Sequence, residues 1–417
     1  MKLLRIFSKA SLNRFFRNKK VAIPIVAFLV LLGGIGWSIL SVLVAPGTDS
    51  VPARLAEWGR DHYLSSVVTF AENVQYKLNP PKVGGTPSAD ILKSFATPIS
   101  PSPSITETIA PTSTPTVAPT NSTITPTASP SSSSTSPVTV DPSQVAPLEA
   151  LTPLASPDIQ GEGFYKTVLS LNNLPAIRIA FLRPDQEHSS YLSGVAVMTS
   201  SLLRFTLHPG FLEPGKLSHY QTPNMIVNSD LVNLVATFNS GFKLKDSKGG
   251  YFSEGFTARR LERGSASFVI YNDGHVDIGS WGSDVSMAKN VVSVRQNLSL
   301  LVDNGVIASD LEKNILSKWG YTIKNDFFVW RSGVGIKADG NIVYVAGNAL
   351  SVQNLAIILQ NAGAIRAMEL DINPEWISYM WYPKDGHSGP QKLLAFDRPA
   401  NRFLKKSSRD FFAVSVR

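Results

Sequence analysis

The sequence contains no cysteine among its 417 residues. Disulfide bonds, thiol nucleophiles and thiolate metal sites are therefore excluded. Histidine is scarce as well, and none of the six histidines has the HxxxH or HxH spacing of a zinc site. P-loop, GxSxG and dinucleotide-binding fingerprints are also absent.

A charge excess of one sign occurs only at the N-terminus. The net charge of +8 would suit a nucleic-acid-binding protein if the basic residues were spread over a folded domain. Seven of the 39 basic residues instead precede the first acidic residue, which leaves 32 basic against 31 acidic residues. No nucleic-acid partner is expected.

The basic cluster is followed by an apolar run, Val21 to Val44, which is 24 residues long and carries no charge. About 20 helical residues cross a bilayer, so residues 21–44 are predicted to be a transmembrane signal anchor. The positive-inside rule then places residues 1–20 in the cytoplasm and the rest of the chain outside it, at the cell membrane. The alternatives are a cleaved signal peptide and a basic cluster that contacts anionic lipid.

Two further segments separate this anchor from a folded domain. Residues 51–79 have apolar residues at helical spacing and are predicted to form one or two juxtamembrane helices. Residues 97–155 are rich in Ser, Thr and Pro and cannot bury enough surface to offset their ordering entropy. We expect them to form a disordered stalk or linker, of the type that is often O-glycosylated.

The globular domain is predicted to span residues 161–417. Three stretches alternate apolar and polar residues around turns that contain Asp-Gly or Asn-Gly, which is a strong hairpin signal. These turns are Asn272-Asp273-Gly274, Asp303-Asn304-Gly305 and Ala338-Asp339-Gly340-Asn341. The domain should be rich in β-structure.

Two helices flank these strands. Asp310 can cap a helix from Leu311 to Trp319, and Ser351 can cap one from Val352 to Ala362 that Gly363 ends. The second helix joins two predicted strands, which suggests a parallel crossover. The predicted fold class is α+β: a β-rich mixed sheet with hairpins, one parallel crossover and a few flanking helices.

The most informative stretch is AIRAMELDINPEWISYMWY, residues 364–382. Glu369 and Asp371 alternate with Leu370 at the end of a predicted strand, so their side chains should point to the same side. Two carboxylates there are candidates for acid–base or nucleophilic chemistry. The alternative is a solvated strand end before an ordinary Asn-Pro turn.

Two other motifs can bind an anion. Asn239-Ser240-Gly241-Phe242 follows an apolar run and precedes a Lys- and Gly-rich loop that holds Glu254. Such a turn can bring backbone N–H groups to an anion. Arg331 begins the strand RSGVG, and its guanidinium suits a phosphate or carboxylate. The alternatives are a solvated loop and an exposed arginine.

The order of these motifs resembles the phosphodiester glycosidase family, which includes proteins associated with exopolysaccharide biosynthesis. The resemblance implies that Asn239, Gly241 and Phe242 form a substrate-binding turn and that Asp371 belongs to the active site. It also implies that Arg331 starts the strand that has the pattern Arg-(Ser/Thr)-Ala-(Ile/Val)-Gly in the family. The sequence departs from the family pattern at Ser240 and Lys243. Residues 372–375, Ile-Asn-Pro-Glu, replace a Gly-rich loop.

We predict an extracytoplasmic, membrane-anchored hydrolase that acts on a sugar phosphodiester or a cell-envelope glycan. Asp371 is the first catalytic candidate, with Glu369 or Glu254 as a second carboxylate. The substrate-binding candidates are Asn239, Ser240, Gly241, Phe242, Arg331, Glu375 and Trp376.

Two alternatives remain open. The first is an inactive glycan-binding domain that uses the aromatic residues 376–382. The second adds Ca²⁺ or Mg²⁺ at Glu369, Asp371 and Glu375 to a protein otherwise expected to need no cofactor.

Overall fold

A computed structural model describes residues 19–78, 80–88, 145–311, 319 and 328–417. Most of the predicted basic segment, most of the Ser/Thr/Pro-rich linker and most of the helix expected at residues 311–319 lie outside the described residues. The description therefore covers an N-terminal helical region and the β-rich domain.

Three helices form the N-terminal region. They are α1 (Lys19–Leu43), α2 (Val51–Asp61) and α3 (Ser65–Leu78). Within α1, the 21 residues Ile23–Leu43 have a mean hydropathy of 2.3, and none of this stretch is buried, so α1 is long and apolar enough to cross a membrane. Ser50 begins α2 because its hydroxyl accepts a hydrogen bond from the Ala53 amide at 3.2 Å.

The domain that follows contains three antiparallel sheets among the described residues. The strands of the largest sheet are β1 (Lys166–Leu171), β2 (Leu174–Leu182), β3 (Ser193–Met198), β11 (Leu300–Asp303), β12 (Val306–Ile307), β13 (Val329–Lys337), β14 (Ile342–Leu350) and β15 (Ala364–Glu369). They are ordered β1-β2-β3-β14-β13-β15-β11-β12. The second sheet has β6 (Tyr251–Ser253), β7 (Phe256–Arg259), β8 (Ala266–Tyr271), β9 (Val276–Ser280) and β10 (Val291–Gln296).

The third sheet gathers strands from distant parts of the chain. It contains β4 (Leu203–His208), β5 (Leu234–Asn239), β16 (Tyr379–Trp381), β17 (Gln391–Lys392) and β18 (Phe411–Val416). The helical elements described in the domain include α4 (Leu244–Ser247), α5 (Val352–Asn361) and two 3-10 turns, Leu217–His219 and Arg402–Leu404. The order β17-β16-β5-β18-β4 brings the C-terminal strand beside β5.

The three predicted hairpins are confirmed. Strands β8 and β9, β11 and β12, and β13 and β14 pair antiparallel around the expected turns. The turn glycines Gly274, Gly305 and Gly340 have φ values of 81°, 74° and 79°, a region that side-chain-bearing residues rarely adopt. The local sequence was sufficient to predict these turns.

The predicted helix after β14 is also present. Ser351 caps α5 by accepting the Asn354 amide at 2.9 Å, and Gly363 follows the helix with φ +87°. The structure does not show the predicted parallel pairing, because β13 lies between β14 and β15 and pairs antiparallel with both. Strands β14 and β15 therefore run in the same direction without touching, in a split crossover.

The large sheet has a hydrophobic core on each face. On one face α5 buries Leu355, Ile358 and Leu359 against the sheet. On the other face, a larger core unites all three sheets, and aromatic rings such as Phe238 and Phe412 meet there at 5.0 Å between ring centroids. This shared core fixes the ends of β5, β13, β15 and β18 relative to one another.

Candidate functional site

Asp371 lies two residues beyond β15 and is 3% exposed. Its backbone is tied to β13, since the Ser332 amide donates to the Asp371 carbonyl at 2.8 Å and the Asp371 amide donates to the Ser332 hydroxyl at 3.1 Å. Its carboxylate accepts the amides of Ile372 and Asn373 at 2.8 and 3.0 Å. Although a proline-bearing loop replaces the expected glycine-rich one, this loop still supplies two N–H donors, and both are directed to Asp371.

The environment of Asp371 makes its carboxylate able to exchange protons near neutral pH. Burial raises the pKa of Asp371 to about 6, although the charge of Arg409 and the two loop amides act in the opposite direction. Such a group is mostly ionised at pH 7 and becomes protonated about one unit lower. A carboxylate of this kind can serve as a general base or a nucleophile.

Arg409, immediately before β18, is the cation nearest to Asp371. Its Nη2 lies 3.6 Å from Asp371 Oδ2 and donates to the Gly241 carbonyl at 3.3 Å. Burial lowers the pKa of Arg409, but the negative charges of Asp371 and Glu57 outweigh this effect and the pKa is raised. Arg409 thus joins the catalytic candidate to the turn that begins at Asn239.

Asn239 ends β5 and holds the site together. Its Nδ2 donates to the Ser240 carbonyl at 2.8 Å and to the Ser332 hydroxyl at 3.0 Å. Its Oδ1 accepts the Tyr344 hydroxyl at 2.8 Å and the Ser378 amide at 3.1 Å. Because both ends of the amide are engaged within the fold, Asn239 positions the site and has little capacity left for a substrate.

The next residues of the turn present polar groups to Asn297, which sequence reasoning missed. A Cβ atom added at Gly241 would lie 3.0 Å from the Asn297 side chain, so glycine permits this close approach. Asn297 Nδ2 donates to the carbonyls of Glu369 and Leu370 at 2.7 and 3.0 Å. Among the described residues, the buried Ser240 Oγ and Asn297 Oδ1 have no hydrogen-bond partner. Phe242, 8% exposed, packs beside them and its carbonyl accepts a hydrogen bond from Arg295.

Glu369 and Arg331 form an ion pair inside the large sheet. Arg331 Nη1 lies 2.7 Å from Glu369 Oε1, and both side chains are almost fully buried. Arg331 Nε donates to the Leu350 carbonyl at 2.9 Å. Burial raises the pKa of Glu369, Arg331 lowers it, and the negative charge of Asp371 raises it further. The carboxylates of Glu369 and Asp371 therefore interact electrostatically. Arg331 is already paired with protein groups.

The structure does not bring Glu254 to this site. Glu254 has φ +52° in the turn between β6 and β7, and it accepts the amides of Gln221 and Thr222 at 2.5 and 3.1 Å. It lines a separate cleft of about 480 Å³ between the second and third sheets, and Asp371 is not among the lining residues. A catalytic role for Glu254 together with Asp371 remains a prediction without geometric support.

Three arginines surround the ring of Trp376. The guanidinium carbons of Arg398, Arg402 and Arg409 lie 5.8, 5.4 and 5.0 Å from the ring centroid. All three side chains are buried. We call these three arginines the arginine cluster. Burial, and then the like charge of Arg398, lowers the pKa of Arg402 to about 9. Buried cations this close together require anions nearby.

Acidic residues from the N-terminal region supply those anions. Asp49 Oδ1 lies 2.5 Å from Arg398 Nη2, and its Oδ2 accepts the Ser408 hydroxyl. Glu57 pairs with Lys243 and lies 3.9 Å from Arg409. We call residues 47–61 the juxtamembrane segment. It contacts the arginine cluster through Asp49 and Glu57, and Arg409 of this cluster contacts Asp371.

Two further contacts fasten the segment at its start. Glu375, predicted to bind substrate, accepts the Ser50 hydroxyl at 2.7 Å and lies 3.3 Å from Arg398. Gly47 has φ +114°, and a Cβ atom there would lie 2.6 Å from the Lys406 carbonyl oxygen. Backbone and side chains therefore both meet the domain closely.

The aromatic residues after Asp371 do not form an open sugar platform. Trp376, Tyr379 and Tyr382 are 5%, 0% and 7% exposed. Trp381 is partly buried and packs against the main core. Their faces contact protein groups, so the geometry offers little to the glycan-binding alternative.

The three acids proposed as metal ligands point to different partners. Glu369 pairs with Arg331, Asp371 with its own loop and Arg409, and Glu375 with Ser50 and Arg398. Within the described part of the chain, no group of three or more acidic or histidine side chains is arranged to hold a metal ion.

Comparison with known proteins agrees with the predicted resemblance. Residues 224–371 match the family model described as phosphodiester glycosidase, and this range runs from the approach to β5 as far as Asp371. The resemblance is confirmed over these residues. No curated protein matches the chain.

Solved structures that are similar to the chain include the following two. One is the zebrafish N-acetylglucosamine-1-phosphodiester alpha-N-acetylglucosaminidase catalytic domain, auto-inhibited by its pro-peptide, with 15% identity and a TM-score of 0.36 over 61% of this chain and 88% of that one. The other is a hypothetical protein from Synechocystis, with 12% identity and a TM-score of 0.34 over 59% of this chain and 63% of that one.

Proposed function

We propose that the protein is a membrane-anchored hydrolase that cleaves a sugar phosphodiester outside the cytoplasm. The observation that carries this proposal is the position of Asp371, a buried carboxylate with a raised pKa beside the arginine cluster. The family match over residues 224–371 points to the same reaction class. The apolar helix α1 and the basic residues before it support anchoring with the domain outside.

The roles of the residues follow from charge. Arg409 and its neighbours bind the phosphate group, since guanidinium donors match phosphate oxygens. Asp371, ionised at neutral pH, activates a water molecule or attacks the anomeric carbon. As the bond from this carbon to the phosphate oxygen breaks, negative charge grows on the departing phosphate, and the arginines stabilise it. In the first route the activated water forms the new bond to the carbon and Asp371 takes its proton; in the second, water afterwards hydrolyses the glycosyl–Asp371 ester. A phosphate is already a good leaving group, so a second free carboxylate is not required.

Glu369, Arg331 and Asn239 act as positioning residues. Glu369 and Arg331 fix β15 against β13, and Asn239 fixes Ser332, which holds the Asp371 backbone. Ser240 Oγ and Asn297 Oδ1, two of the polar atoms without a hydrogen-bond partner among the described residues, contact the sugar.

The proposal is tested by following the release of reducing sugar from a sugar 1-phosphodiester. Asp371→Asn should lower turnover by about 100-fold or more, as expected for loss of a general base or nucleophile. Glu254→Gln is the matched control and should retain activity, because it lies in the other cleft. Since the juxtamembrane segment covers the site, the assay is also run with Asp49→Asn/Glu57→Gln. Full turnover in Asp371→Asn, or no hydrolysis by either parent, refutes the proposal.

The orientation has a separate test, which the absence of cysteine makes direct. Val306→Cys places one thiol on the exposed strand β12. A membrane-impermeant maleimide should label it in intact cells without permeabilisation. Labelling only after permeabilisation would place the domain inside.

A further inference from the structure

We propose that α3 lies along the lipid surface beside α1, with its apolar face inserted among the lipids, and that this contact holds the arginine cluster at the level of the headgroups. The proposal rests on the membrane anchoring proposed above. Its consequence for that function is that the phosphodiester is carried by a membrane lipid.

The first observation is an apolar helix face that no part of the described domain covers. Val67, Phe70, Val74 and Leu78 follow one another at helical spacing along α3, and they are between 40% and 74% exposed. Residues of this type on one helix face normally pack on a partner. Helices that rest on a membrane present such a face to the boundary between headgroups and acyl chains.

The second observation is the level at which α3 begins. Trp58 Nε1, near the end of α2, donates to the Ser38 hydroxyl of α1 at 2.9 Å, and a His62 ring nitrogen lies 3.5 Å from the same hydroxyl. Ser38 is five residues before the end of α1, which at 1.5 Å per residue is roughly 7–8 Å inside that end. The junction between α2 and α3 is therefore level with the last apolar turns of α1.

Packing between α2 and α3 places the start of α3 at the same height relative to α1. The Leu64 amide donates to the Gly59 carbonyl at 2.8 Å. A Cβ atom at Gly59 would lie 2.9 Å from Val68 Cγ2, so the two helices touch where they meet. Tyr63, between them, is 98% exposed. Trp58 and Tyr63 have the amphipathic rings that are enriched at membrane interfaces.

The third observation connects the end of α1 to the candidate site. Arg54 donates to the carbonyls of Val42, Leu43, Ala45, Gly47 and Asp49. One guanidinium thus satisfies the open carbonyls at the C-terminus of α1. The same guanidinium also holds the backbone of Asp49 close to the end of α1. Asp49 in turn contacts Arg398. Arg54 and Asp49 thus connect the end of the apolar helix to Arg398 of the arginine cluster.

Charge favours the lipid surface over another protein as the partner of this region. The arginine cluster and Lys243 pair with Asp49 and Glu57 of the juxtamembrane segment, and a lipid headgroup carries the phosphate that guanidinium groups bind. A phosphodiester attached to a lipid reaches the cluster when these carboxylates move aside. A water-soluble substrate gains nothing from this placement.

The test uses the full chain and its lack of cysteine. Phe70→Cys in α3, Leu29→Cys in α1 and Val306→Cys in β12 each receive one fluorophore, and the proteins are reconstituted into phosphatidylcholine–phosphatidylglycerol vesicles that contain a doxyl-labelled lipid. Fluorescence at positions 29 and 70 should fall by about twofold or more, and that at position 306 should not.

The outcomes separate the inference from the anchoring. Quenching at position 29 without quenching at position 70 overturns the inference and leaves the anchoring intact. Quenching at neither position overturns both. Cross-linking of Phe70→Cys to a second copy, without quenching, shows that the face is a protein interface and also overturns the inference.

A second measurement tests the substrate class. Phe70→Asp/Val74→Asp changes only the exposed face of α3 and none of the residues placed in the site. It should lower turnover of a lipid-linked sugar phosphodiester in vesicles by about tenfold and leave turnover of a water-soluble analogue unchanged. Equal turnover of the lipid-linked substrate by the variant and the parent overturns the assignment, even if the protein proves to be a hydrolase.

Discussion

Arg331 and Arg398 are equally buried, yet their acidic partners have different origins. The partner of Arg331 is Glu369 on β15, the neighbouring strand of the same sheet. Arg398 lies 3.3 Å from Glu375 of its own domain, but its closer partner, at 2.5 Å, is Asp49, which lies about 350 residues earlier in the chain and outside the β-rich domain. The first pair is a part of the fold. The second is a contact between the domain and a separate segment.

This difference indicates which of the buried arginines can bind a ligand. A buried arginine must keep an anion, because an unpaired buried charge is costly. Arg331 can exchange Glu369 only if the sheet is disrupted. Arg398 and Arg409 can exchange Asp49 and Glu57 for phosphate oxygens if the juxtamembrane segment moves. If these arginines bind the substrate as proposed, we expect the segment and an anionic substrate to compete for them.

The largest expected effect comes from breaking the pair within the sheet. Arg331→Met leaves the Glu369 carboxylate buried without its cation, and we expect the free energy of unfolding to fall by about 3–5 kcal/mol. Arg398→Met should cost less, because Asp49 can turn into solvent with its segment. Urea denaturation of both variants measures the difference. Equal losses would remove the distinction between the two regions.

Asp371 lies between the two regions, and its titration should appear in the stability of the protein. Its pKa rises from an ordinary value of 3.8 to about 6 on folding. The folded protein therefore retains a proton that the unfolded chain releases between these values. This contribution is complete below about pH 4 and is lost as the pH rises through about 6, by up to about 3 kcal/mol.

The measurement is unfolding in urea at several pH values for the parent and for Asp371→Asn. Glu369 titrates in the same direction, and the charge of Asp371 raises its pKa, so the difference between the two proteins reports Asp371 together with its effect on Glu369. Identical pH dependence in the two proteins would show that Asp371 does not have the raised pKa.

Opening the arginine cluster should have a smaller effect, on affinity. Asp49→Asn/Glu57→Gln removes the two competing carboxylates, and we expect inorganic phosphate to bind about tenfold more tightly, since a larger fraction of the protein is then competent to bind. Isothermal titration calorimetry measures the change. Asp61→Asn is the control, because Asp61 is half exposed and pairs mainly with Lys245. Tighter binding in the control would point to a general charge effect.

The smallest effect should come from the cap of α5, which belongs to neither region. Ser351→Ala removes the acceptor for the Asn354 amide, and we expect a loss of about 1 kcal/mol. Phosphate affinity should stay unchanged, as a calorimetric titration beside a thermal melt can verify. A fall in phosphate affinity would show that binding depends on the overall stability of the protein. The affinity changes of the other variants would then partly reflect their changes in stability.

The parts of the fold that depend on local chemistry were predictable. The Asp-Gly and Asn-Gly turns, the Ser351 cap and the Gly363 end of α5 each depend on residues within a few positions of one another. The place of Asp371 beyond β15 followed from the alternation of Glu369 and Leu370. The position of β13 between β14 and β15 was not predicted. The sequence of α5 shows that it connects two strands, but it does not reveal whether another strand lies between them in the sheet.

The candidate site was only partly predictable for a related reason. Arg409 contacts Asp371 and Gly241, which lie 38 and 168 residues away in the chain. Asn297 and Glu57 likewise reach the site across long separations. The run DRPANRF, which contains Arg398 and Arg402, has no hairpin or helix signal of its own. Glu254 was grouped with the site because its loop follows Phe242, but that loop folds toward Gln221 instead.

The position of β13 in the split crossover has a consequence for the order of folding. The β13–β14 hairpin is closed by a short turn and can form early, whereas β15 must return across α5 to the opposite edge of β13. Only that late step brings Ser332 to Asp371. During refolding, hydrogen-exchange protection of β13 should therefore precede the recovery of phosphate binding. The site can become active only after β15 has joined the sheet.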